Sequence, residues 1–413
     1  MMLAVAKSSL MNHTPLKTKS SLASCPACGL LCDDVLVENT ENIIKVLANS
    51  CTKNIAFFEQ AFIDTSPKIA GNAVSLEAAI TQAAELLKLA KQPLFAGLST
   101  DISGFRSLFS LAQKTNATLQ HINATSMARN IKVLQSTGWQ TTTLTEVKNR
   151  ADVIVCIGTN IVAHNPRFFE RFVWVKNALF TDVDSREVIY IGGNLDISAG
   201  TSPNIKPPSL LACKAIDLPE VTAVLRALVL NKKLKETQVA GIKISDLRVL
   251  ADKLKQAKYA VLTWVAKDLD FPHAELTIQN ITETVAVLNQ TTRAAGLPLG
   301  GSDGDTSANN AKAWLSGLTL NDDAIEHDCV IWVNSFSLDK VPPTTNYPLI
   351  VLGHINTLPA TPSVFIPIAT PGLDCSGTLF RVDGSVTLPL KQLRESNLPT
   401  LGEVVRRIEA LLR

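Results

Sequence analysis

The sequence lacks an excess of charge of either sign, and it lacks a long hydrophobic run. Its 413 residues include 39 Lys and Arg against 37 Asp and Glu, so no surplus of positive charge is available to neutralise the phosphates of a nucleic acid. No apolar run approaches the ~18 residues that a membrane-spanning helix needs. We therefore expect a globular protein that binds neither nucleic acid nor membrane.

The first 24 residues contain no acidic side chain, since the first one in the sequence is Asp33. They also lack the apolar stretch of about 7–15 residues that a secretory signal requires, and they are rich in Ser, Thr and Lys. We interpret residues 1–24 as a disordered tail of a cytoplasmic protein, with Met1 or Met11 as the start of translation.

Motifs of several catalytic classes are absent as well. No Ser-His-Asp arrangement, Walker loop or HExxH motif is evident. The Gly-rich stretch 296–304 lacks the lysine of a phosphate-binding loop, and we interpret it as a tight loop.

Strand-like and helix-like segments alternate through most of the chain. A chain this long, with 46% hydrophobic residues, is expected to form two or three lobes. Helical periodicity over 75–89, 221–230 and 244–257 lies between short apolar segments of the kind that a parallel sheet buries on both faces. This alternation predicts an α/β protein with doubly wound, Rossmann-like lobes. The strand candidates are 93–96, 153–157, 188–191, 260–264, 330–333, 349–352 and 364–366.

Four of the eight cysteines form a cluster with the spacing Cys25-x2-Cys28-x3-Cys32-x18-Cys51. Four thiolates can complete the coordination of a [4Fe–4S] cluster, with one sulfur for each iron. Residues 35–37 and 43–46 flank a polar turn, which predicts a β-hairpin between the third and fourth cysteines. The pattern favours an iron–sulfur-type hairpin over residues 25–54.

Two alternatives to the iron–sulfur cluster remain open. Tetrahedral zinc sites with four cysteines use similar loops, and the cysteines can also be an empty remnant. The other cysteines lie in or beside apolar segments, and we interpret them as small buried hydrophobic residues. They are Cys156, Cys213, Cys329 and Cys375.

The cysteine segment Cys25-Pro-Ala-Cys28-Gly-Leu-Leu-Cys32-Asp-Asp resembles the N-terminal cluster motif of the formylmethanofuran dehydrogenase B subunits, a family within the molybdopterin oxidoreductases. Residues 135–171, 304–317 and 366–384 are similar to further stretches of that family, so the resemblance extends from Cys25 to Leu390. It implies Rossmann-like, parallel-sheet lobes of the molybdopterin oxidoreductase type behind a small Cys-rich β-hairpin.

The sequence departs from this family at the residue that would bind the metal. The family uses a cysteine thiolate, in a Cys-His-Gly-Pro-like segment, for molybdenum or tungsten held by two pterin dinucleotides. No cysteine occurs here between Cys51 and Cys156, and Ser126 falls at or near the ligand position. Losing the soft thiolate and the residues around it weakens such a site. The departure implies that the Mo/W-pterin is lost and that the chain is catalytically inactive by itself.

Five residues resemble positions that contact the cofactor in this family. Lys53 matches a basic residue between cluster and pterin. The other four resemble the turn that binds the pterin-guanine group, where an arginine can hold a phosphate through two hydrogen bonds. These four are Gly158, Asn160, His164 and Arg167.

The overall match without the metal ligand resembles the B subunits of the bacterial formyltransferase/hydrolase complex of methylotrophs. This resemblance implies a non-redox structural subunit in formaldehyde-to-formate metabolism. It also implies A, C and D subunits as partners and a methanofuran-like carrier nearby. The alternative is an active Mo/W-pterin dehydrogenase subunit with an iron–sulfur cluster, in which Ser126 replaces the thiolate.

The resemblance also implies an order of domains. After the hairpin of residues 25–54, the first α/β lobe comprises residues 55–119 and 256–360, and residues 120–255 form an inserted second lobe. Residues 361–413 form a β-rich segment and a final helix. Residues 198–208 are expected to be a linker and residues 291–310 a loop.

Overall fold

A computed structural model describes residues 18–61, 65–320, 326–354 and 361–412. The expected tail up to residue 17, and with it both possible start residues, lies outside the described residues.

The strands are numbered in chain order. They are β1 (Thr18–Ala23), β2 (Val35–Thr40), β3 (Ile43–Ala48), β4 (Lys68–Ile69), β5 (Asn72–Ala73), β6 (Pro93–Ser99), β7 (Thr118–His121), β8 (Val153–Ile157), β9 (Glu187–Ile191), β10 (Ser209–Leu211), β11 (Gln238–Val239), β12 (Ile242–Lys243), β13 (Ala260–Val265), β14 (Ala294–Leu299), β15 (Cys329–Asn334), β16 (Leu349–Gly353), β17 (Val364–Ile366), β18 (Gly377–Phe380) and β19 (Thr387–Leu390).

The α-helices are numbered in the same way. They are α1 (Thr52–Phe58), α2 (Leu76–Leu89), α3 (Ile102–Thr115), α4 (Ala124–Ser136), α5 (Leu144–Arg150), α6 (Ile161–His164), α7 (Leu218–Val229), α8 (Ile244–Gln256), α9 (Glu275–Leu288), α10 (Asp305–Ser316) and α11 (Leu401–Leu411).

Two mainly parallel sheets form the centres of two α/β lobes. The first sheet has the order β5-β4-β17-β16-β15-β6-β7, and the second has the order β10-β9-β8-β13-β14. Strands β8 and β13 are buried along their whole length, as expected for strands covered by helices on both faces. The predicted α/β class with parallel-sheet lobes is confirmed.

A three-stranded antiparallel sheet, β1-β2-β3, stands before the first lobe. The predicted hairpin is β2–β3, and β1 extends it by pairing with β2. Residues 18–23 are therefore a strand, although the sequence predicted that the disordered tail would run to residue 24. The first three cysteines lie in the loop between β1 and β2, and Cys51 precedes α1.

The strand pairing differs from the predicted domain boundaries at three places. Strands β13 and β14 pair with β8 in the second sheet, so the second lobe extends past residue 255 to the end of β14. Strand β17 belongs to the first sheet, which moves that part of the C-terminal segment into the first lobe. The expected linker, residues 198–208, lies between two strands of the second sheet and does not join the lobes.

The segment 291–310 is not a loop, because it contains β14 and the start of α10. Gly296 packs under the ring of Trp264, where a Cβ atom would come within 3.1 Å of the ring. Pro298 is tolerated because β14 is the edge strand of its sheet. Gly296 and Pro298, which suggested a loop, are therefore residues of a strand.

The carboxyl ends of both sheets face a common crevice, which is where ligands bind in open α/β sheets. One cavity there is lined from the first lobe by Ser126 and Met127, beyond β7, and from the second lobe by Lys267 and Gly300, beyond β13 and β14. Within the described residues, no helix is both long enough and apolar enough to span a membrane.

Candidate functional site

The cysteine loop packs into the crevice through its glycine. Gly29 donates its N–H to the Gly300 carbonyl at 3.2 Å, and its own carbonyl accepts from the Val382 N–H at 2.8 Å. A Cβ atom at Gly29 would lie within 2.7 Å of the Gly300 oxygen. The loop therefore lies against the second lobe and the C-terminal segment at once.

Hydrogen-bond donors point at the sulfurs of this loop. The Ala27 N–H donates to Cys25 Sγ and the Asn54 N–H to Cys51 Sγ, each at 3.4 Å. Asn165 donates to Cys28, and the guanidinium of Arg171 donates to Cys32. Such hydrogen bonds stabilise thiolates, and they are one of the means by which proteins adjust iron–sulfur clusters.

Burial controls the protonation of these thiols. It raises the pKa of Cys25, and charges on Cys28, Cys32 and Cys51 raise that pKa further. Burial likewise raises the pKa of Cys28 to about 11. Without a metal the thiols of Cys25 and Cys28 stay protonated, and a bound metal would have to displace those protons.

No group of three or more His, Cys, Asp or Glu side chains in the described residues is arranged to hold a metal ion. The four sulfurs are coupled electrostatically, as the pKa of Cys25 shows, but they do not form a closed site around one ion. The donor chemistry, four cysteines of which three are buried and each of which has a hydrogen-bond donor, fits a cluster that takes one thiolate per iron.

Two arginines hold the cysteine loop on the second lobe. Arg167 donates two parallel hydrogen bonds, of 2.7 and 2.8 Å, to the carboxylate of Asp34, and it also forms an ion pair with Glu170. Arg171 pairs with Asp33 at 2.7 Å. Arg167 was predicted to hold a cofactor phosphate, and in this structure its guanidinium binds carboxylates of the chain itself.

Lys53 makes a third link between the hairpin and the second lobe. Its Nζ donates to the backbone carbonyl of His164 at 2.8 Å. Lys53, His164 and Ser126 line the same cavity of about 60 Å³. The structure thus brings together three residues that the sequence singled out on separate segments.

Ser126 lies in the first turn of α4, facing this cavity. Its Oγ donates to the Asn123 carbonyl at 2.9 Å, so the hydroxyl is bound to its own helix end. A neutral hydroxyl used in this way is a poor substitute for a soft thiolate. The residues present do not fit a molybdenum or tungsten site of the family's kind.

The turn after β8 is organised by a carboxylate that the sequence reasoning missed. Asp268 accepts hydrogen bonds from Thr159 Oγ1 at 2.8 Å, from the Asn160 N–H at 3.1 Å and from His164 Nε2 at 2.6 Å. Gly158 has the left-handed φ of 62°, and Leu218 and Leu269 leave no room for a side chain there. The sequence prediction placed β8 and β13 in different lobes, whereas the two strands pair, so it gave no signal for Asp268.

A second missed group lies under Ser126. Asn123 Nδ2 donates to Asp305 Oδ2 at 3.2 Å, and burial raises the pKa of Asp305. His121 Nδ1 accepts from the Asn123 N–H at 3.0 Å, so Nε2 carries the proton and donates to the Asp303 carbonyl at 3.1 Å. These contacts fix the loop after β14 against α4.

Sequence comparison finds full-length relatives in methanogens. The chain is 26% identical over 400 residues to the B subunit of the tungsten-containing formylmethanofuran dehydrogenase 2 of Methanococcus maripaludis, covering 87% of this chain and 91% of that protein. The corresponding protein of Methanocaldococcus jannaschii is 24% identical, with coverages of 87% and 90%. No protein-family model matches the sequence.

A bacterial relative matches over a shorter stretch. The B subunit of the formyltransferase/hydrolase complex Fhc of Methylorubrum extorquens is 34% identical over 90 residues, which is 22% of this chain and 25% of that protein.

Two solved structures share the fold. A chain of the formyltransferase/hydrolase complex FhcABCD from Methylorubrum extorquens, crystallised with methylofuran, superposes with a TM-score of 0.68 at 22% identity, covering 84% of this chain and 98% of that chain. Acetylene hydratase from Pelobacter acetylenicus gives a TM-score of 0.59 at 10% identity, covering 95% of this chain and 69% of that chain.

The two-lobed α/β fold is therefore shared with both solved structures. In sequence, the homologues of the chain are named as B subunits of formylmethanofuran dehydrogenase and of the Fhc formyltransferase/hydrolase complex. The methanogen relatives are named as tungsten-containing.

Proposed function

We propose that the chain is the B subunit of a formyltransferase/hydrolase-type complex and serves there as a non-redox structural subunit. The complex would convert formyl groups derived from formaldehyde to formate, with A, C and D subunits and a methanofuran-type carrier as partners. The observation that carries this proposal is Ser126, which stands where a metal ligand is expected and gives its hydroxyl to the Asn123 carbonyl.

The chemistry of the proposed reaction supports this assignment. Oxidation or reduction of a formyl group needs a redox cofactor, because protein side chains do not carry out this electron transfer themselves. Transfer and hydrolysis of a formyl group need no electron transfer. A B subunit without its metal ligand is compatible with transfer and hydrolysis of a formyl group, and not with its oxidation or reduction.

One of the solved structures supports the same assignment. The chain of the FhcABCD complex is covered almost completely, at 98%. That complex is the one crystallised with methylofuran, which supports a methanofuran-type carrier near this subunit. The eight cysteines are all free, which is typical of a reducing compartment such as the cytoplasm.

We further propose that Cys25, Cys28, Cys32 and Cys51 hold a structural [4Fe–4S] cluster. The donors directed at each sulfur support this. Arg171 beside Cys32 and Lys53 near Cys28 add positive charge, which favours thiolates over thiols. A cluster there would hold the loop shape on which the contacts of Gly29 depend.

Anaerobic purification of the chain with the A, C and D subunits from the same organism tests both proposals. We expect one stable complex that hydrolyses formyl carrier to formate, with about four irons and about four sulfides per B subunit and no molybdenum or tungsten. The A, C and D subunits produced without this chain are the control, and we expect them to assemble poorly.

The active dehydrogenase subunit remains a second candidate, because the full-length relatives are named as tungsten-containing. Stoichiometric tungsten or molybdenum in the complex, together with formate-dependent reduction of a dye, would establish it and overturn the structural role. If the B subunit contained no metal at all, the proposed structural role would stand and the proposed [4Fe–4S] cluster would be rejected.

A further inference from the structure

The turn after β8 collects three hydrogen-bond donors on one carboxylate. Thr159 Oγ1, the Asn160 N–H and His164 Nε2 all reach Asp268, at 2.6–3.1 Å. Hydroxyl, backbone N–H and imidazole donors gathered in one loop can bind an anionic group such as a phosphate. Here an acidic side chain of the same chain receives them.

The position of Asp268 follows from the sheet. Strand β13 runs parallel to β8, with Thr263 paired to Cys156, so the segments that leave the two strands are neighbours. The Asp268 N–H donates to the Val265 carbonyl at 3.0 Å, and the next residue, Leu269, is fully buried beneath Gly158. The carboxylate is therefore held in place by the core of the lobe.

The negative charge of Asp268 disfavours the binding of a second anion at the same donors. Burial raises the pKa of Asp268, but the hydrogen bonds from His164, Thr159 and Asn160 outweigh it and leave the pKa below its usual value. Asp268 is thus ionised at neutral pH. A phosphate brought to the same donors would meet a like charge at close range, which disfavours binding.

Two further cations near this turn are used within the chain. Arg167 is only 3% exposed and binds Asp34 and Glu170. Lys53 binds the His164 carbonyl. A phosphate would have to displace these internal partners as well as Asp268.

We propose that Asp268 is a built-in anion that occupies the phosphate position of the turn after β8, so that this lobe is closed to nucleotides. The proposal builds on the proposed function and supplies a reason, in the second lobe, why no dinucleotide cofactor is held. Ser126 follows β7 of the first sheet, whereas Asp268 follows β13 of the second. The serine and the carboxylate therefore act against cofactor binding from opposite lobes of the crevice.

Titration of the purified full-length protein with inorganic phosphate and with GMP tests this proposal by calorimetry and thermal shift. The wild type is expected to bind neither ligand saturably. Asp268→Ala should bind both, with dissociation constants at least tenfold below the highest ligand concentration at which the wild type shows no saturation, and phosphate should raise its melting temperature. Asp268→Asn, which keeps the side-chain shape and removes the charge, should show a smaller gain.

Asp270→Ala is the matched control, since Asp270 lies two residues further on, is 82% exposed and pairs with Arg129. It should behave as the wild type does. Saturable wild-type binding, an equal gain in Asp270→Ala, or a gain for GMP alone would overturn the proposal.

If Asp268→Ala does not fold, the binding of phosphate and GMP by Asp268→Asn tests the proposal. A folded variant that binds neither ligand better than the wild type would also overturn the proposal. Molybdenum or tungsten in the complex would instead defeat the proposed function, so the two failures are distinguishable.

Discussion

At the scale of single residues, Arg167 shows how a side chain can keep its chemistry and change its partner. The sequence favoured a phosphate-binding arginine, and the side chain does form a two-pronged contact, but with Asp34 of the cysteine loop. One sequence could not show this, because the two residues are separated by 133 positions. The planar fork matches carboxylate and phosphate equally well.

Replacing Arg167 with Lys should destabilise the protein by roughly 1–3 kcal/mol. Lysine cannot form the two parallel bonds to Asp34, and the loss of a fully buried pair, about 3–5 kcal/mol, is reduced here because Asp34 is 36% exposed. The shift of the urea midpoint measures the effect. Arg150→Lys is the control, because its pair with Glu146 is exposed at both ends; an equal shift in that variant would contradict the assignment.

The same pair predicts a dependence on pH. The pKa of Asp34 is lowered in the folded protein: burial raises it, and the contacts with Arg167 and Arg171 outweigh the burial. A group with a depressed folded pKa stabilises above its unfolded pKa and loses that contribution as pH falls through the folded pKa. The difference between wild type and Arg167→Lys should therefore be constant near neutrality and shrink below about pH 4.

At the scale of elements, short buried strands were easier to predict than strands with unusual residues. Strands β8 and β13 were found from their unbroken apolar runs. Strand β14 was missed, because its Gly296 packs against Trp264 and its Pro298 uses the freedom of a sheet edge. Gly300, which contacts the cysteine loop, directly follows β14.

The β1–β2 loop is an element whose shape depends on its cysteines, so we expect Cys28→Ala/Cys32→Ala to affect assembly more than chemistry. Losing two thiolates removes the proposed cluster and the packing of buried side chains. The yield of complex should fall severalfold, while turnover per assembled complex is retained. Iron content, yield and formate production measure these separately.

Cys213→Ala/Cys329→Ala, which alters two buried cysteines outside the loop, should leave iron and yield near wild type. A normal yield of complex with lost turnover in the loop variant would reverse the proposed order and give the loop a part in catalysis.

At the scale of the whole molecule, both lobes contribute to the changed crevice. In the first lobe Ser126, which is predicted to fall at or near the metal-ligand position, donates to the Asn123 carbonyl. In the second, Asp268 takes the donors of the turn after β8, and Arg167 binds the cysteine loop. The sequence predicts the first change, because a missing cysteine is visible in one segment. The second required knowing which strands are neighbours.

Restoring the thiolate alone should therefore not restore a metal centre. We expect Ser126→Cys, produced in a host that makes tungsten and molybdenum pterin cofactors, to purify with no more of either metal than the wild type. The donors that a dinucleotide would need stay bound to Asp268. Elemental analysis of the complex and dye-linked formate oxidation measure the outcome. Stoichiometric metal in this single variant would mean that the second lobe still accepts the cofactor and that Ser126 alone separates this chain from its tungsten-containing relatives.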